Sequence, residues 1–210
     1  MASNTRERVL ETSLLLFNEL GEPNTTTNHI ADEMDISPGN LYYHYRSKED
    51  IVTRLFDRFE RRVLELLSAV PKRRLDMEDM WLILHLAFEL IWEYRFIYRD
   101  LDNLLGRYRS LRRRFGRLVA RHIEVSVSAC QSLVEAKIMH ATREEVEVVG
   151  RNVVLVTTYW LNFENIIERQ GVDEQERFAR GCYQVLSLLA PFLEPQSRVM
   201  LNELARRYLG

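Results

Sequence analysis

The chain has 210 residues, of which 46% are hydrophobic and 29% charged, with a formal net charge of −2. That length buries a sizeable core in one large domain or two smaller ones, so no disulfide or metal staple is required. The near-neutral balance excludes a general polyanion binder, and any affinity for nucleic acid has to come from a local constellation.

Gly21, Pro23, Pro71, Gly171 and Pro195 fall between segments whose apolar residues recur at three and four, and no stretch alternates with period two. An all-α chain is predicted. The polar N-terminus Met1–Arg8 lacks an apolar signal core, and no apolar run approaches the roughly 18 residues of a membrane span, so no membrane partner is expected. The first helix is predicted at 5–20, ended by Gly21 and Pro23. Two short helices follow at 26–33 and 38–44, then a long one at 48–69, opened by Ser47-Lys48-Glu49-Asp50 and stopped before Pro71. Further helices are predicted at 77–94, 96–105, 108–137, 142–169, 173–193 and 197–208. Thr142-Arg143-Glu144-Glu145 and Asp173-Glu174-Gln175-Glu176 have the pattern of capping boxes, and Gly171 separates the last two long helices. Cys130 and Cys182 lie far apart in apolar helical patterns; they read as reduced core thiols and point to a reducing, cytoplasmic compartment.

Residues 25–45 carry the chemistry. Ile30, Ala31 and Met34 form one apolar face, Ile36 plugs a turn, and Leu41 and Tyr45 return apolar surface at i and i+4. Ala31 is small enough to let two helices approach. Ser37 is a good N-cap and Pro38 a good first helical residue. With that face buried, the second short helix presents Ser37, Gly39, Asn40, Tyr42, Tyr43 and His44 outward. Gly39 permits close approach, Asn40 can read a base edge, and the tyrosine hydroxyls and His44 can donate to phosphate oxygens. Thr26 and Thr27 place hydroxyls and amides at the start of the preceding helix, and Lys48 stands at the start of the next, where each can meet a phosphate.

Leu16-Phe17-Asn18-Glu19-Leu20-Gly21, Thr25, Ile30-Ala31, Ile36-Ser37, Gly39, Leu41-Tyr42-Tyr43-His44-Tyr45 and Ser47-Lys48-Glu49 together resemble the signature of the TetR family of transcriptional regulators. The resemblance covers roughly residues 6 to 52. It implies that the helix opened by Ser37-Pro38-Gly39 is a recognition helix, with the positions of Tyr42, Tyr43, His44 and Lys48 on the DNA backbone. Tyr45 departs from the pattern, where phenylalanine is more usual, and the segment is acidic, with nine Asp or Glu against four Lys or Arg in residues 1–50.

The resemblance implies an N-terminal helix-turn-helix domain at 1–47 and a helical ligand-binding and dimerisation domain at 48–210. Within the latter, Trp81, His85, Phe88 and Trp92 fall on one helical stripe, and with His122 and Phe163 they are expected to line a pocket for a small apolar or amphipathic effector. A core stripe with a satisfied core histidine is the competing reading. On 142–169, Val149, Val153, Val156, Trp160, Phe163 and Ile167 form one stripe, and Val146, Gly150, Val154, Thr157, Leu161 and Glu164 another. Two stripes imply two partners, the chain's own core and a second subunit. Phe178, Cys182, Val185, Leu186 and Leu189 would join that interface, which the resemblance makes a four-helix homodimer contact.

Nine arginines occur between Arg95 and Arg121, against Asp100 and Asp102. The run Arg107, Arg109, Arg112, Arg113, Arg114, Arg117 admits a solvated face, an ionic seam against the acidic N-terminal segment, or an anion site. No GxGxxG, P-loop, CxxC or HExxH motif occurs, so neither an enzyme nor a metal or other cofactor is expected. The expected function is a one-component repressor that binds a palindromic double-stranded operator as a homodimer and is released by a small effector. The alternative is a helical sensor or adaptor without sequence-specific DNA binding.

Overall fold

A computed structural model describes residues 2–70, 73–167 and 174–209, and among these the regular elements are helices. They are α1 (Ala2–Leu20), α2 (Thr27–Glu33), α3 (Pro38–His44), α4 (Lys48–Ala69), α5 (Met77–Glu93), α6 (Arg95–Arg99), α7 (Leu101–Arg107), α8 (Arg109–Glu135), α9 (Arg143–Ile167), α10 (Glu174–Ser187) and α11 (Pro195–Leu209). Pro71, Gly171 and Asp173, with the stop and capping roles expected of them, lie outside the described residues.

The local signals explain most boundaries. Gly21 ends α1 with φ +87°, a backbone state that costs other residues about 1 kcal/mol or more. Ser47 Oγ accepts from the Asp50 amide at 3.1 Å, opening α4. At α9 the capping box closes in both directions, Glu145 N donating to Thr142 Oγ1 at 3.2 Å and Thr142 N to the Glu145 carboxylate at 2.7 Å. Two predicted helices are broken. The one expected at 96–105 divides at Asp100, whose backbone leaves helical geometry and whose carboxylate accepts from Asn103 Nδ2 at 3.0 Å, a local alternative to the helical ladder. The one expected at 173–193 stops at Ser187, and Pro191 sits in a single 3₁₀ turn, Ala190–Phe192, because its ring cannot continue an α-helix.

The chain forms two compact units. One comprises Met1–Arg62 with Glu93–Phe115, the other Val63–Trp92 with Gly116–Gly210. The unit that holds the helix-turn-helix thus adds 48–62 and 93–115 to the segment 1–47 expected from sequence. Its core buries Phe17, Ile30, Ala31, Leu41, Ile51, Leu55, Phe56, Phe59, Phe96 and Ile97. Tyr45, the departure from phenylalanine, is buried too, and its hydroxyl donates to the Arg6 carbonyl at 3.1 Å. Asn18 is a buried polar tie: Nδ2 donates to Glu93 O at 2.8 Å and Oδ1 accepts from Phe96 N at 3.0 Å.

In the other unit α9 packs closely on α8, since a Cβ at Gly150 would stand 2.6 Å from a Val127 methyl. Val146, Gly150, Val154, Thr157, Leu161 and Glu164 are all buried, as one predicted stripe requires. The other stripe is corrected. Val149 and Val153 are buried as well, and the large apolar residues exposed on α9 are Phe163 and Ile167 of that stripe together with Val148, Leu155, Tyr159 and Ile166, which lie one register over. Cys182, Val185 and Leu186 on α10, and Leu189 just after it, are fully buried within this unit, so they are not available to a second subunit. Cys130 and Cys182 are unbridged, and burial pushes their thiols up to about 11 and about 12.

Candidate functional site

Helix α2 starts on a capping box in which His29 N donates to Thr26 Oγ1 at 3.1 Å and the Thr26 amide reaches His29 Nδ1 at 3.5 Å. The turn passes through Asp35 at φ +52°, a left-handed state that aspartate tolerates better than most residues. Ser37 Oγ then accepts from Asn40 N at 3.2 Å and Pro38 occupies the first turn of α3.

Leu41 and Tyr45 anchor α3 to the core, and the opposite face is open. Ser37, Gly39 and Asn40 are exposed, Tyr42 is 48% and Tyr43 81% exposed, and His44 is half-buried with its ring edge-on to Tyr43. Thr27 Oγ1 and Tyr42 Oη lie 2.9 Å apart, which ties the start of α2 to the outer face of α3. The sequence-predicted residues Thr26, Thr27, Ser37, Gly39, Asn40, Tyr42, Tyr43 and His44 therefore fall on α2, α3 and their N-caps. At Gly39 φ is not positive, and the nearest protein atom to a Cβ added there would be Ser37 Oγ at 3.9 Å. Nothing inside the protein calls for glycine at that position.

Lys48 is placed differently from the free ammonium expected. Its Nζ donates to the Glu22 carbonyl at 2.7 Å and the Thr25 carbonyl at 2.9 Å, and stands 2.9 Å from the Glu22 carboxylate. All three of its protons have acceptors within the protein. Glu22, only 3% exposed, also takes Tyr108 Oη at 2.9 Å and Arg107 Nη1 at 3.2 Å. Burial and the neighbouring Glu22 carboxylate hold the Tyr108 phenol far above its ordinary value. This cluster was not foreseen; Gly-Glu-Pro reads as a turn, and the partners of Glu22 lie 26, 85 and 86 residues away. Of the arginine run, Arg107 pairs with Glu22 in the acidic N-terminal segment, whereas Arg114 pairs with Asp57 and Glu60 on α4, outside that segment, at 2.7 and 2.5 Å.

The six residues expected at an effector pocket separate. Phe88 and Trp92 line a crevice of about 20 Å³ together with Trp160, Phe178 and Glu164. His85 and Phe178 stand edge-to-face at 6.0 Å, and Glu89 lies 3.4 Å from His85 Nε2, while the buried Nδ1 makes no hydrogen bond. Trp81 is buried, and Phe163 is exposed beside Trp160 at 5.7 Å. Neither lines this crevice, nor does His122, which is half-buried on α8 with its imidazole lowered by burial to about 4. Phe88 is packed hard against α10, its ring 2.7 Å from where a Cβ on Gly181 would stand, so on that side no space awaits a larger side chain.

The family model for the tetR family of bacterial regulatory proteins matches residues 9–55, and the TetR model, a bacterial transcriptional repressor, matches residues 58–201. The chain belongs to the TetR family. A TetR-family transcriptional regulator from Marinobacter aquaeolei VT8 superposes with a TM-score of 0.89 at 36% identity, covering 98% of this chain and 99% of that one. A gamma-butyrolactone receptor, ArpA-like, shares the fold with a TM-score of 0.69 at 17% identity over 99% of this chain and 98% of its own. Among curated relatives, AcrR of Shigella flexneri is 29% identical over 65 residues, 31% of this chain and 30% of that protein. The probable regulator YttP of Bacillus subtilis is 22% identical over 107 residues, 51% of each chain. The chain thus spans a third to a half of the length of these curated relatives. This TetR-family chain is a helix-turn-helix transcriptional regulator.

Proposed function

We propose that the chain is a cytoplasmic repressor that binds a palindromic operator as a homodimer and leaves it when a small effector binds. The observation that carries the reading is the outer face of α3, where exposed Asn40, Tyr42 and Tyr43 surround a glycine for which the fold itself has no need. A partner surface that comes within contact distance of the backbone accounts for that glycine, and the neighbouring side chains have the chemistry to meet base edges and phosphates. Thr26, Thr27, Ser37 and His44 extend the contact to the sugar-phosphate backbone. Lys48 acts behind it, holding the α1–α2 turn in place.

One seven-residue helix reads too few base pairs to be specific alone, so two must be held at a defined spacing. The exposed Leu155, Tyr159, Phe163 and Ile166 on α9 are the surface we assign to a second copy. The effector reading rests on the aromatic crevice between α5, α9 and α10. No helix among the described residues is long and apolar enough to cross a membrane, which agrees with a cytoplasmic regulator.

The test is a gel shift with duplex from the protein's own upstream region, comparing the natural chain with Gly39→Ala. The variant is expected to melt at the same temperature or slightly higher, since alanine favours a helix by about 0.5–1 kcal/mol over glycine. Its DNA affinity should fall by about tenfold or more. Undiminished binding by Gly39→Ala would remove the observation on which the reading stands.

A further inference from the structure

Glu164 is 5% exposed, on the inner face of α9, and its Oε2 makes no hydrogen bond. It lines the crevice with Phe88, Trp92, Trp160 and Phe178, and the Trp160 indole N–H is likewise buried without a partner. A buried carboxylate oxygen without a partner among aromatic rings is an expensive arrangement that a well-packed core replaces with an apolar residue. The natural complement of a carboxylate is a cation, and aromatic rings lining the same crevice can take that charge on their π-faces. The chain already places one cation on this wall: the Arg177 guanidinium lies over the Trp92 ring at 5.9 Å and lines the crevice.

We propose that the effector is an apolar organic cation, a molecule with a hydrocarbon or aromatic body and a single ammonium end, whose charge is held by Glu164 against Trp92, Trp160 and Phe178. The inference rests on the reading of this chain as an effector-released regulator. It names the chemistry that reading leaves open. The crevice holds about 20 Å³, room for one water, so the ligand enters by widening it. The half-buried Phe178 ring, edge-on to Trp92 at 6.0 Å, is the wall most able to turn. Phe88, pressed onto α10 at Gly181, is the wall that stays. A ligand that pairs Oε2 recovers the penalty of the unsatisfied carboxylate, and binding favours the widened state by that differential affinity.

The experiment uses three probes on one skeleton, 4-phenylbutylamine, 4-phenylbutanol and 4-phenylbutanoate, titrated into the full chain at pH 7 and followed by tryptophan fluorescence and calorimetry. The ammonium probe is expected to bind about tenfold or more tighter than the alcohol, and the carboxylate weakest. In Glu164→Gln, which keeps the shape and loses the charge, the preference of amine over alcohol should vanish. Equal affinity for amine and alcohol on the natural chain overturns the proposal without any variant, and so does tightest binding of the carboxylate, which would make Arg177 the recognising charge. A gel shift without probe separates the two readings. Operator binding that persists while no probe discriminates sinks only the cation proposal, whereas absence of operator binding sinks the regulator reading.

Discussion

At Lys48 the choice between a phosphate contact and an internal clamp is decided by what surrounds its ammonium. Three acceptors within 2.9 Å, two of them on the buried Glu22 and one on Thr25, hold it inside the protein. Lys48→Met is therefore expected to lower the melting temperature by about 3–8 °C, the effect of about 1–3 kcal/mol in a chain of this size. It should leave the salt dependence of DNA binding unchanged. A variant with unaltered melting and a salt slope reduced by about one would place the ammonium on a phosphate instead. His122 supplies a pH dependence. Burial lowers its folded value to about 4, whereas the unfolded imidazole binds a proton near pH 6.5. Between those values the unfolded state holds more protons, so the folded state loses stability as pH falls from about 6.5 to 4 and no further below. The full separation corresponds to about 3 kcal/mol, discounted to about 2 for partial exposure. Urea unfolding at pH 7, 5.5 and 4 should show that loss in the natural chain relative to His122→Gln. Parallel pH profiles for the two would mean that the imidazole is not shielded from water.

Among the helices, α9 shows how far a pattern carries. Its buried stripe through Val154, Thr157 and Leu161 was legible from spacing, because the core side of a helix is set by i, i+3 and i+4 recurrence. The exposed stripe was displaced by one register over most of its length, since Val149 and Val153 also face the core while Val148, Leu155, Tyr159 and Ile166 join Phe163 and Ile167 outward. Apolar residues all round a helix do not say which of two faces meets its own chain first. Two variants separate the faces. Tyr159→Glu should yield a folded monomer near 25.0 kDa by light scattering where the natural chain gives a dimer. Leu161→Glu should fail to fold, with a carboxylate forced into the buried side. A dimer that survives Tyr159→Glu would move the interface off this stripe. Short-range signals such as Ser37-Pro38 and Thr142 with Glu145 fixed element starts well, since cap and partner are three residues apart. The break at Asp100 escaped notice because aspartate also occurs as an ordinary helix residue.

At the scale of the molecule, the class, the all-helical architecture and the exposure of the polar and aromatic face of α3 were legible because each depends on contiguous residues. The ionic cluster at Glu22 and the lining of the aromatic crevice were not, since both join residues brought together only by folding: Glu22 with Tyr108, and Phe88 with Glu164 and Phe178. The membership of the helix-turn-helix unit was extended for the same reason, as Asn18 binds the backbone of Glu93 and Phe96. The central claim is that two copies of the α3 face read one DNA site. Selection from a random duplex library with the purified full chain tests it most directly. The account predicts an enriched inverted repeat, its half-site centres about one helical turn or a multiple of it apart, with two chains per site. An enriched single half-site bound by one chain, or no enrichment at all, would contradict it.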